Sequence, residues 1–213
     1  MNQDIELPET FPDFSSREYW NARYSSEPNN TYDWLLSYQQ IKSILLPRIS
    51  HKEAEIFVVG CGNSSFSEEL YKDGYHYISN IDFSPVVIEQ MSERNSQLSE
   101  IEYAVMDACN LQYPSSSFDL IFDKCTLDCI LCGENSFQRA TSMVQGIYRV
   151  LKPGGVYILV SYGMPDTRIG YLKNKFLNWS IEQARIPKVF LDQFANVELS
   201  QYHYFFICTK NIE

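Results

Sequence analysis

Long apolar runs are missing from this 213-residue chain. None approaches the roughly 20 consecutive apolar residues that cross a bilayer, so no membrane association is expected. Clusters of Lys and Arg are missing too. With 17 basic against 27 acidic residues the formal net charge is −10, and no nucleic-acid partner is expected, because tracking a phosphate backbone needs grouped cations. An acidic surface favours neutral or basic partners, lysine-rich protein surfaces among them. The first residues, MNQDIELPETFPDF, offer neither a basic n-region nor an apolar h-region, so no signal or transit peptide is read there and a cytoplasmic location is expected. Histidine is scarce: His51, His76 and His203 are the whole set. None lies close in sequence to Cys125, Cys129 and Cys132, the trio that contains a C-x-x-C. With no fourth ligand in view these thiols read as small buried hydrophobes, and no metal is expected. Without a secretory signal the even cysteine count does not indicate a disulfide framework.

What is abundant is aromatic side chain, at 15%, which suits an aromatic-lined cleft and equally a well-filled core. The length supports one full core. Residues 1–14 are expected to be a flexible segment and 15–213 a single domain. A helix is predicted after Ser15 and Ser16, which offer a cap with Glu18 in the first turn. Another is predicted from about Tyr32, with Leu35, Tyr38, Ile41 and Leu45 at helical spacing, ending before Pro47. From residue 55 strands alternate with helices. EIFVVG, HYISNID, IEYAVMD, FDLIFDK and VYILVSYG read as strands; Ser64–Asp73, Ser84–Arg94 and Phe137–Leu151 read as helices. The alternation implies βαβ units, a mostly parallel sheet and right-handed crossovers. NWSIEQARI and YHYFFICT are predicted to pair antiparallel at one sheet edge.

The chemistry concentrates at strand ends. IFVVGCGNSS runs a buried strand into Gly60, Cys61 and Gly62 and then into a helix. Glycines at such a turn let a ligand approach the backbone, and the helix N-terminus supplies unpaired N–H donors. Asp82 ends the second strand, about 20 residues beyond Gly62, where a carboxylate accepts from both hydroxyls of a ribose. Asp107 ends the third strand, where a carboxylate accepts from an adenine amine, with Met106 and Ala108 beside the ring. Each acid alone also fits a cap or turn; together with the glycine turn they point to a nucleoside at the C-terminal edge of the sheet. A dinucleotide fingerprint wants a third glycine where Ser65 stands. That gap, LKPGG before the fifth strand and the antiparallel tail favour S-adenosylmethionine over a nicotinamide cofactor.

The stretches REYWNARY, YDW, VGCGNSSFSEELY, NIDFSPVVIEQM, MDACNLQYPSSSFDLIFDKCTLD and RVLKPGGVYILVSYG resemble the class I methyltransferase family that includes lysine methyltransferases of translation elongation factor 1A. The resemblance implies a single Rossmann-like seven-stranded α/β sheet, order 3-2-1-4-5-7-6 with the last strand antiparallel, helices on both faces, and N-terminal helices over the cofactor cleft. It implies S-adenosylmethionine as cofactor and a protein substrate bearing a target lysine. It also implies roles for residues of this chain: Trp20, Tyr24 and Trp34 against the cofactor, Gly60 in the turn, Phe83 beside Asp82, Asp107 with Ala108 at the base, and Lys124 at the methionine end. A sulfonium cation is stabilised by aromatic faces and a carboxylate by lysine, so the chemistry agrees. Trp20 and Tyr24 at helical spacing fit a buried helix face as well. Cys125 stands where relatives often carry glycine.

A lysine nucleophile must lose its proton, since its ordinary pKa is near 10.4. Asp123, Asp128 and Tyr162, near strand ends, are the candidates for taking it. Arg168, Tyr171 and Trp179, beyond the fifth strand, are candidates for the substrate side; a solvated helix followed by an edge strand explains them equally. A small-molecule methyltransferase and a binding module without turnover remain open on the same fold.

Overall fold

IFVV, β-branched and apolar on both faces, forms β1 (Ile56–Val59), and all four residues are buried. A strand covered on both faces belongs at the centre of a parallel sheet. β1 lies between β2 (Ile78–Asp82) and β4 (Phe118–Lys124), parallel to both, with Ile56 opposite Ile78 and Leu120. β3 (Ile101–Val105) extends the sheet beyond β2, and β5 (Leu151–Ser161) runs parallel to β4. β6 (Trp179–Pro187) and β7 (Tyr202–Lys210) form the antiparallel end, β7 inserting between β5 and β6. The order is therefore β3-β2-β1-β4-β5-β7-β6, as the motifs implied. The structure, a computed structural model, describes residues 12–188 and 201–212. Most of the expected flexible segment, residues 1–11, lies outside the described residues.

Alternation along the strands divides the core in two. Ile56, Val58, Phe122, Phe205 and Ile207 face one layer, while Phe57, Val59, Ile121, Phe206 and Cys208 face the other. The first layer is closed by α2 (Tyr38–Leu45), which buries Tyr38, Ile41 and Leu45, and by α3 (Phe66–Lys72). The second is closed by α6 (Ser136–Val150), whose stripe of Ala140, Met143, Val144, Ile147 and Val150 recurs at helical spacing. α4 (Pro85–Arg94) starts on the Ser84 cap and packs Val87 and Met91 against α1 (Arg17–Ser26). α1 begins where its Ser16 cap was expected: the hydroxyl accepts from the Tyr19 N–H at 3.2 Å.

Three elements differ from the sequence reading. α2 starts at Tyr38 rather than near Tyr32, because Leu35 takes a left-handed φ of 62° and a Ser37–Gln40 capping box opens the helix. β5 reaches back through LKPGG to Leu151, with an irregular register between Phe118 and Leu120 of its partner. CTLDCILC contains a six-residue helix, α5 (Thr126–Leu131), too short for periodicity to reveal. α7 (Pro165–Leu172) completes the set, followed by the expected edge strand. No helix among the described residues is long and apolar enough to cross a membrane.

Candidate functional site

The strand order reverses between β1 and β4, and ligands of open α/β sheets bind in the crevice this leaves at the strand C-termini. Here that crevice is a cleft of about 380 Å³, large enough for a nucleoside-sized ligand. Its floor is the glycine turn after β1. Gly60 sits at φ +63°, and a Cβ there would run into the Thr126 side chain, so only glycine fits. Thr126 in turn donates from Oγ1 to the Val59 carbonyl at 2.8 Å, which fastens the turn to α5.

Asp82, at the tip of β2, is the anchor. Its Oδ2 accepts from the Gly62 N–H at 3.1 Å and its Oδ1 from the Ser84 N–H at 2.9 Å. The residue is 6% exposed. Burial pushes its pKa up to about 6, against the backbone N–H groups of Ser84, Gly62 and Phe83, which favour the charged form. Each carboxylate oxygen has a further lone pair, and the residue lines the cleft. Asp107, beyond β3, is more open: its side chain is 37% exposed and stands 3.5 Å from the Arg139 guanidinium. Its Oδ1 accepts from the Cys109 N–H at 2.9 Å, while Met106 and Ala108 line the cleft beside it.

The roof is aromatic. Trp20 and Tyr24 of α1 stack at 5.6 Å, and Trp34 meets Trp20 edge-on at 6.0 Å. The Trp20 indole N–H donates to the Phe14 carbonyl at 2.8 Å, so residues immediately before α1 belong to the roof. Arg23 lies over the rings of both Tyr32 and Trp34, at 5.6 and 5.4 Å. α1 is tied to the sheet by the Ser84 hydroxyl, which donates to Asn21 at 2.6 Å. Phe83 lines the cleft, with Arg17 5.7 Å from its ring centre.

Lys124, the last residue of β4, lines the same cleft. Its ammonium donates to Asp33 at 2.6 Å and to the Leu36 carbonyl at 2.9 Å, leaving one of its three N–H donors. Asp33 also accepts from the Ser64 hydroxyl beside the glycine turn. The structure thus brings Trp20, Tyr24, Trp34, Gly60, Cys61, Gly62, Asp82, Phe83, Asp107, Ala108 and Lys124 around one cleft. Asp33 and Phe14 were missed. The sequence signal for Asp33 is its place in YDW, between Tyr32 and Trp34.

The three candidates for accepting a proton part company. Asp123 is fully buried below the cleft, where its carboxylate accepts from the Thr126 N–H at 2.9 Å and the Tyr157 hydroxyl at 3.0 Å. Burial pushes its pKa up to about 7. Asp128 lines the cleft, but both its oxygens are engaged: Oδ1 by the Ser161 hydroxyl at 2.7 Å and Arg168 Nε at 2.8 Å, Oδ2 by the Tyr162 N–H at 2.7 Å. Tyr162 stands at the mouth, 53% exposed. Of the residues proposed for the substrate side, Arg168 joins this clasp. Trp179 is instead core: it is buried, donates to the Leu172 carbonyl at 2.9 Å and stacks on Tyr157. Tyr171 lies against Phe137 at 5.9 Å. Cys125, Cys129 and Cys132 all line the cleft wall, Cys125 in a left-handed conformation that opens α5.

Comparison with known proteins finds methyltransferases. The family model described as a methyltransferase domain matches residues 57–159. EEF1A lysine methyltransferase 4 of Mus musculus is 31% identical over 188 residues, covering 84% of this chain and 73% of the relative. The eEF1A lysine and N-terminal methyltransferase of Bos taurus is 37% identical over 158 residues, 73% of this chain; the chain spans only 22% of that longer relative. Among solved structures, the N-methyltransferase NodS from Bradyrhizobium japonicum in complex with S-adenosyl-L-homocysteine superposes with a TM-score of 0.64 at 17% identity, over 90% of this chain and 98% of NodS. At that identity the likeness is one of fold.

Proposed function

Since the chain belongs to the family of S-adenosylmethionine-dependent methyltransferases that includes EEF1A lysine methyltransferase 4, we propose that it methylates a lysine of translation elongation factor 1A or a similar protein. The observation that carries the reading is the pair of strand-tip carboxylates, Asp82 and Asp107, bordering one cleft under an aromatic roof. The side chains suit the cofactor's three chemistries. Two carboxylates match a ribose diol and an exocyclic amine. Trp20, Tyr24 and Trp34 match a cation. Lys124, with a spare donor, matches a carboxylate.

When bound, the cofactor supplies a methyl group already activated by a positive sulfur. What the protein adds is position. Asp82 and Asp107, beside the turn at Gly60, Cys61 and Gly62, would hold the nucleoside end. Lys124, its charge balanced by Asp33, would hold the amino-acid end. The aromatic roof excludes water, so a lysine that enters the cleft loses its proton more readily than in solution. The acidic surface, net −10, suits a lysine-rich protein partner, and a cytoplasmic location accords with such a target.

The test is calorimetric titration with S-adenosylmethionine and, separately, with NAD, followed by methyl transfer from labelled cofactor to purified elongation factor 1A. Binding of S-adenosylmethionine alone and label on the protein are expected. Binding of NAD alone overturns the cofactor. Label appearing only on small-molecule acceptors overturns the protein substrate, and cofactor binding without any transfer indicates a module without turnover.

A further inference from the structure

The mouth of the cleft carries an arrangement that the binding of a nucleoside does not use. Tyr162 follows β5 directly and faces outward, half exposed. Its backbone is held by the Asp128 carboxylate, itself fixed by Ser161 and Arg168. These bonds fix the Cα of Tyr162 and hence the place from which its ring projects. Over this ring, 4.7 Å from its centre, stands the ammonium of Lys188.

Lys188 comes from the far side of the sheet end. It continues β6 past Pro187, and its N–H donates to the Gln201 carbonyl at 2.8 Å. Among the described residues no carboxylate pairs with its side chain. His203, opposite Ile186 on β7, feels this charge, and its buried Nδ1 has no hydrogen-bond partner among the described residues. Burial first, and then the Lys188 charge, lower the His203 pKa. An ammonium group with an aromatic face as its partner, at the entrance of a cleft read as receiving a lysine, is chemically the substrate's own end group.

We propose that the Tyr162 ring is the receiving face for the substrate lysine's ammonium, and that Lys188 occupies this face in the free protein and yields it when a lysine-bearing chain enters. The proposal rests on the lysine-methyltransferase reading and adds a specificity-determining residue with an internal competitor. A methylated lysine remains a cation, so the same face holds the product ammonium until it leaves.

The probe is n-butylammonium, a lysine side chain without its backbone, titrated by NMR into wild type, Lys188→Ala, Tyr162→Phe, and Lys188→Ala combined with Tyr162→Ala. Thermal midpoints establish that each variant is folded. Removing the competitor should tighten probe binding roughly two- to five-fold, the range of a partly exposed cation–aromatic contact. Tyr162→Phe should bind as wild type does, and the double variant should lose the gain. The proposal is overturned if Lys188→Ala leaves the affinity unchanged, if the double variant binds as tightly as Lys188→Ala, or if no variant binds the probe. Because the titration involves no methyl transfer, its failure is distinct from failure of the methyltransferase reading, which the titration with S-adenosylmethionine decides.

Discussion

The two ends of the cleft are built differently. At the nucleoside end the chemistry is local: Asp82 is bound by the N–H groups of Gly62 and Ser84, and Asp107 by that of Cys109. Asp107 takes its geometry from its own turn, and Asp82 from its own turn and the one after the neighbouring strand. At the mouth nothing is local. Asp128 of α5 holds Ser161 at the end of β5, Tyr162 just after it and Arg168 of α7, and Lys188 reaches in from the end of β6. The first end is a preformed socket whose parts are neighbours in sequence or joined by adjacent strands. The second is an assembly of three or four separate elements. It follows that the nucleoside end should respond to substitution through affinity, and the mouth through turnover and stability.

The largest effect should come from Asp82→Ala. Losing the two charge-assisted hydrogen bonds proposed from the ribose hydroxyls to this carboxylate costs about 3–4 kcal/mol, or on the order of a hundred-fold or more in affinity for S-adenosylmethionine by calorimetry. Wild-type affinity should also fall as pH drops below about 6, where the Asp82 carboxylate takes up a proton. Pure loss of turnover with unchanged affinity would erase the distinction between the ends.

Arg168→Ala should do the reverse. Arg168 and Asp128 are each mostly buried, with side chains 15% and 13% exposed. Removing the guanidinium leaves the carboxylate with Ser161 and Tyr162 only. A stability loss of about 2 kcal/mol is expected in denaturant unfolding. Turnover should fall about ten-fold with cofactor affinity within two-fold of wild type, since the hydrogen bonds of Arg168 run to Asp128, Ser161 and Thr167, none of them assigned to the cofactor. A parallel loss of affinity would show that the mouth and the socket are one unit.

The same contrast explains what could be read from the letters. The glycine turn, Asp82 and Asp107 announce themselves because a strand tip is fixed by β-branched runs, and the residue just past it must face the crevice. Strand alternation implied a mostly parallel sheet, and its order came from the resemblance to the family. Cys125, Cys129 and Cys132 read as buried hydrophobes because nothing in CTLDCILC marks a six-residue helix whose face lines the cleft. Trp179 looked available for substrate because its partners, Tyr148 and Tyr157, lie on other elements. The partnership of Lys188 with Tyr162 depends on how the antiparallel end folds over β5. No periodicity or spacing encodes it.

The smallest effect concerns Asp123, which lies beneath both ends. Its carboxyl is fully buried and its pKa stands at about 7, raised mainly by burial. In the unfolded chain the same group ionises near pH 3.9. The folded state therefore holds the proton more tightly between these values. The stability this contributes is complete below about pH 4 and is lost as pH rises to about 7. Asp123→Asn keeps an oxygen to accept from the Thr126 N–H and carries no charge to bury. Its unfolding free energy should match that of wild type near pH 4, then exceed it at pH 8, where wild type carries the cost of the buried charge. Paired urea titrations at the two pH values check the sign. Turnover at pH 8 decides the other half of the question. The carboxylate's bonds run to Thr126 and Tyr157, within the fold, and not toward the cleft. Asp123→Asn should therefore turn over within about two-fold of wild type, whereas loss of a general base costs roughly a hundred-fold or more. A drop of that size would place a proton acceptor on the floor of the cleft, and would make the buried carboxyl the point where its two ends meet.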